Sequence, residues 1–165
     1  MKNTIFILLA SLIGTPAVAQ TIASGQAAPA FEITMLDSTR VNSLDLDGQV
    51  ILLAFTRTVL PSSPDIACAR SIGLLTLIGK ELIPRFSREE ELTILPVIMH
   101  YRSRQEVIRF RDKYKFDFPL GLDVNKKIAS RFTPDATPRL FLIDRAGKIA
   151  ELPTTREFTG EERAA

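Results

Sequence analysis

Residues 50–65 read VILLAFTRTVLPSSPD, an apolar run that breaks at a Pro-Ser-Ser-Pro turn and then opens into a helix. From Val50 to Phe55 no polar residue intervenes, and Gly48 and the turn bound the segment. That is the pattern of a strand buried on both faces. Ser62 and Ser63 are helix-capping residues, Pro64 suits a first helical position, and Asp65 favours the positive end of the helix dipole. A buried strand feeding a capped helix is a common mount for a reactive group, yet the turn itself carries none.

Downstream, the pattern predicts a helix from Pro64 to about Ile83, ending before Pro84. At helical spacing Ala67, Cys68, Ile72, Leu74, Leu75, Ile78 and Leu82 fall within an arc of about 160°. Cys68, the one cysteine of the chain, lies inside that stripe and reads as a buried, small apolar residue. An intramolecular disulfide is impossible. Residues 91–99 are rich in strand formers, and Pro96 among them predicts a bulge or a short strand starting at Val97. Ser103 and Glu106 have the spacing of a capping box for a helix to about Tyr114. His100, the one histidine, stands at the expected strand end. Without a Cys/His cluster around it no metal site is expected, and no cofactor is implied.

Upstream, residues 1–19 place Lys2 before an apolar core, Ile5 to Ile13, and end in Ala17-Val18-Ala19. This is the layout of a cleaved secretory leader, with an apolar stretch too short to span a bilayer. It predicts an exported protein, most simply in a bacterial periplasm. Residues 20–26 read as a flexible lead, 27–152 as one domain, and 153–165 as a short segment interrupted by Pro153 and Gly160. The mature part, about 145 residues, is enough for one sizeable core. Hydrophobic residues make up 45% of the chain and its net charge is +2, which argues against disorder and gives no reason to expect nucleic acid as a partner.

Laid out as Phe55-Thr56-Arg57-Thr58-Val59-Leu60-Pro61-Ser62-Ser63, the strand end resembles the F-W-A-x-W-C-P-x-C pattern of thioredoxin-fold proteins of the TlpA/ResA type, in the redoxin superfamily related to AhpC/TSA. Gly25, Ala28, Pro29 and Phe31 match their entry motif, and Leu44 to Val50 matches their approach to the central strand. Thr137 to Ile149, TPRLFLIDRAGKI, matches their x-P-T-x-F-L-I-D-x-x-G-K-I segment. The resemblance implies an α/β thioredoxin-like fold, a central mixed sheet flanked by helices, in one domain. It also implies a cis Thr137–Pro138 bond facing the redox helix, beside a groove that takes an extended polypeptide.

The chain departs from that family at the chemistry. Both redox cysteine positions are substituted, by Leu60 and Ser63. Disulfide exchange needs a thiolate to attack and a second sulfur to resolve the mixed disulfide, so the catalytic pair is degenerate and an enzymatic role is doubtful. The leading expectation is a redox-inactive module that binds a polypeptide or small ligand near Pro61, Ser62, Ser63, Ala136, Thr137 and Pro138. Two alternatives stand beside it: a peroxiredoxin-like one-cysteine peroxidase using Cys68, and a structural accessory domain. Against the peroxidase, Cys68 lies beyond the first helical turn, where such a thiol would use the dipole.

Overall fold

The computed structural model describes residues 22–58, 66–132 and 137–150. Seven strands are present: Glu32–Met35 (β1), Arg40–Asn42 (β2), Val50–Arg57 (β3), Leu92–His100 (β4), Gly121–Leu122 (β5), Arg139–Ile143 (β6) and Ile149–Ala150 (β7). They form one mixed sheet in the order β2-β1-β5-β4-β3-β6-β7. The strands β3 and β4 run parallel, β5 runs parallel to β4, and β6 is antiparallel to β3. Helices Ile66–Leu77 (α1), Ile83–Phe86 (α2), Arg104–Tyr114 (α3) and Ala129–Phe132 (α4) flank the sheet.

The uninterrupted apolar run of β3 follows from burial on two faces. Ile51, Leu53 and Phe55 pack on one side with Val97, Met99, Phe132 and Phe141. Ala54, between them in sequence, packs on the other side with Leu75, Ile78, Ile98, Val107 and Phe110. Successive strand residues point to opposite faces, so a strand covered by helices on both sides cannot alternate with polar residues.

Three local expectations give way to the tertiary structure. The first helix does not stop before Pro84: α1 passes into a π turn, Ile78–Leu82, and continues as α2. Ile83 N–H donates to Ile78 O, five residues back. A π turn widens the backbone where a proline ring would crowd the carbonyl four residues before it. At Pro96 neither a bulge nor a late strand start occurs. The strand β4 begins at Leu92 and Pro96 stays in register with Ala54. The Pro96 carbonyl lies on the β5 side, 3.4 Å from where a Cβ on Gly121 would stand. The N and O of one strand residue share a side, so the missing N–H faces β5, whose pairing begins only at Val97 with Gly121. No bond to β3 is lost. Residues 22–26, expected as a flexible lead, are held on the sheet edge, where Gly25 N–H donates to Ile149 O and Ile149 N–H to Gln26 O, both at 2.8 Å.

Gly121 leaves no room for a side chain. A Cβ there would lie 2.5 Å from Ile33 Cγ2 and 3.3 Å from Val97 Cγ2. Both neighbours are fully buried. Gly121→Ala should therefore lower stability by about 1–3 kcal/mol through overpacking. The measurement is the urea midpoint at constant slope; an unchanged midpoint would mean that β1 and β4 can spread to admit a methyl group.

Candidate functional site

The carboxyl ends of β3 and β4 and the start of β6 meet at one end of the sheet, because Phe55 pairs with Arg139 and Arg57 with His100. Thr137 and Pro138 lead into β6 there, and their peptide bond is cis. Of the expected site, Leu60, Pro61, Ser62, Ser63 and Ala136 lie outside the described residues. The leader at residues 1–19 and the segment 153–165 lie outside them as well.

Cys68 lies on the buried side of α1, 1% exposed, with Ser71 and Leu75. Its Sγ is 3.7 Å from Thr58 O, at the end of β3. Ser71 is fully buried, and its Oγ has no hydrogen-bond partner among the described residues.

Thr58 joins three elements, a role the sequence did not reveal. Its N–H donates to His100 O at 3.2 Å, and its Oγ1 lies 3.0 Å from the same oxygen. The hydroxyl also contacts Glu106 Oε1. One hydroxyl hydrogen serves one of these acceptors at a time. The capping box is consequently half made. Ser103 Oγ accepts from Glu106 N–H at 3.2 Å, as expected, but the Glu106 carboxylate accepts from Arg102 N–H at 3.2 Å and meets Thr58. The helix α3 is thereby tied to the end of β3 across 48 residues of sequence.

His100 is half-buried, and its proton affinity is held below the ordinary histidine range, first by burial and then by the charges of Lys126 and Arg57. An unfolded chain takes up a proton near pH 6.5 that the folded chain resists. The stability present above that pH is lost as the pH falls through the unfolded value toward the lower folded one. Between about pH 7.5 and 5.5, wild type should lose more melting temperature than His100→Gln. Parallel curves for the two would mean that His100 is as well solvated folded as unfolded.

Lys126 was not singled out by any sequence pattern. It lies in a 3-10 turn, Val124–Lys126, and both it and Asn125 have φ of 57°. Left-handed backbone is tolerated by asparagine but is uncommon for lysine. The preceding Asp123 is buried, with its two carboxylate oxygens accepting from Ile128 N–H at 3.0 Å and Ala129 N–H at 2.8 Å. Among the described residues no group of three or more His, Cys, Asp or Glu side chains could hold a metal. No helix among them is long and apolar enough to cross a membrane. A cleft of about 340 Å³ opens at the opposite end of the sheet, by Phe31, Ile51, Ile143 and Arg145, and shares no residue with this end.

Residues 24–152 match the AhpC/TSA family. The thiol-disulfide oxidoreductase ResA of Bacillus cereus is 27% identical over 127 residues, covering 77% of this chain and 67% of that protein. A solution structure of a candidate protein disulfide isomerase from Bacteroides thetaiotaomicron superposes with a TM-score of 0.66 at 27% identity, covering 80% of this chain and 79% of the other. The thioredoxin domain of a Bacteroides vulgatus thiol-disulfide oxidoreductase gives 0.60 at 20% identity, with 79% and 87% covered, a likeness of fold alone.

Proposed function

The chain belongs to the AhpC/TSA family, and from that membership and its single thiol we propose that it is a redox-inactive thioredoxin-like module that binds an extended polypeptide at the Thr137–Pro138 end of the sheet. The observation that carries this reading is the cysteine inventory: one cysteine in 165 residues, buried on α1. A dithiol cycle needs a second sulfur, and the two positions where the family motif has them are Leu60 and Ser63. The burial of Cys68 also favours this reading over a peroxidase, which must present its thiolate to peroxide.

Binding needs no thiol. Extended backbone such as that entering β6 at Pro138 can take up a polypeptide segment by strand addition. The leader-like pattern of residues 1–19 supports action outside the cytoplasm.

The test is insulin reduction with dithiothreitol, comparing wild type with Cys68→Ser. Both should run at the rate of dithiothreitol alone. A faster wild-type rate that is lost in Cys68→Ser would overturn the proposal and give the thiol a catalytic role.

A further inference from the structure

The cleft at the end of the sheet away from Pro138 has an apolar floor of Phe31, Ile51 and Ile143, all buried. Its volume, about 340 Å³, is at the low end for a ligand site and suits a small molecule. Leu44 also lines it, 70% exposed although it belongs to an ordered 3-10 turn, Ser43–Leu46. Hydrogen bonds hold that turn in place. Leu44 N–H donates to Asn42 Oδ1 at 3.0 Å, while Ser43 N–H donates to Phe31 O and Phe31 N–H to Ser43 Oγ, both at 2.9 Å. A leucine kept in water beside an apolar floor is a wall already in place for a ligand, so little ordering is left to be done on binding.

Most polar side chains around the cleft are engaged within the fold. Gln49 Oε1 accepts from the Thr93 hydroxyl at 2.6 Å, Ser43 Oγ accepts from Phe31 N–H, and Arg145 is paired with Glu91. The two carboxylates that line the cleft are different. Asp144 gives one oxygen, Oδ1, to both Ala146 N–H and Lys148 N–H at 2.9 Å, which fixes the group and leaves Oδ2 without a donor among the described residues. Asp47 is exposed and forms neither a hydrogen bond through its carboxylate nor an ion pair among them. Arg145 is the one cation among the described lining residues, and Glu91 already holds it.

We propose that this cleft binds a small amphipathic cation, an alkylammonium whose chain lies on Phe31, Ile51, Ile143 and Leu44 and whose charged head meets Asp47 and Asp144. The chain gains by leaving water, and the head by donating charge-assisted hydrogen bonds to carboxylates that lack a cation. An alkyl carboxylate is the rival ligand, drawn by Arg145, but it would first have to displace Glu91. The site shares no residue with the Pro138 end and stands apart from the polypeptide reading.

The experiment is an NMR titration of the full chain at neutral pH with hexylamine, hexanol and hexanoate, following the amide signals of Leu44, Gly48, Ile51 and Ile143. Hexylamine should shift them with an affinity about tenfold above that of hexanol, the effect of two partly exposed charge pairs, and hexanoate should bind more weakly than either. Asp47→Asn should reduce that advantage to about threefold without changing the melting temperature. Leu44→Ala should weaken hexylamine and hexanol alike. Four results overturn the proposal: hexanol matching hexylamine, which removes the carboxylates from the site; hexanoate binding best, which makes Arg145 the determinant; shifts that survive both variants, which put the ligand elsewhere; and no saturable shift at all. Displacement of hexylamine by an equal concentration of a blocked lysine tripeptide makes the occupant a protein side chain and overturns the small-molecule assignment.

Discussion

Phe132→Ala should destabilise the fold by about 3–5 kcal/mol. Phe132 is 1% exposed, and its ring lies 5.6 Å from that of Phe55, 5.1 Å from Phe141 and 6.1 Å from Phe31. Those three rings come from the central strand, from β6 and from the segment before β1, so truncation leaves a cavity that no single element can close by moving. The helix α4 is only four residues long and cannot hold itself in place by helical propensity. Urea unfolding followed by circular dichroism measures the loss. A change below about 1 kcal/mol would mean that the three remaining rings repack around the gap.

Asp123→Ala is the second large effect, also about 3–5 kcal/mol, because it orphans two buried N–H groups at once. The carboxylate is 1% exposed and bridges Ile128 N–H and Ala129 N–H, so water cannot enter to replace it without opening the α4 side of the core. Asp123→Asn keeps one acceptor oxygen and should cost about half as much. The comparison separates hydrogen bonding from packing. If the two variants are equally destabilised, the loss comes from charge or from the fit of the side chain. Hydrogen exchange at Ile128 and Ala129 should rise in Asp123→Ala by more than at Val97 if α4 opens locally before the sheet does.

The elements most legible in the sequence are those whose burial is written in local periodicity. The run Val50 to Phe55 can only be covered on both faces, and it is. The turn at Asp144 to Gly147 is equally local. Asp144 Oδ1 accepts from Ala146 N–H and Lys148 N–H at 2.9 Å, and Gly147 takes a positive φ of 71°. The extent of α3 follows from its capping serine and its apolar face, with Val107 and Phe110 buried.

The misjudged elements share a different cause. Pro84 and Pro96 look like terminators when only their own N–H is considered. What decides is where that N–H would have pointed: into a widened π turn in one case, and toward β5 ahead of its first paired residue in the other. Glu106 reads as half of a reciprocal cap because Ser103 is three residues away. A hydroxyl delivered by β3 takes one of its oxygens instead.

The sequence by itself determined a doubly buried central strand and a chain with one thiol, because hydrophobic period and residue inventory are local quantities, while the mixed α/β sheet was implied by its resemblance to the redoxins. Only the tertiary structure decided that Thr58 joins β3 to α3, that Arg57 pairs with His100, and that Pro96 can sit in the middle of a sheet. Those depend on the register between parallel strands, which β3 and β4 set across about 40 residues of intervening chain. No local pattern encodes that register; it comes from the simultaneous packing of both sheet faces, since a slip of one residue would turn every core side chain to the wrong side.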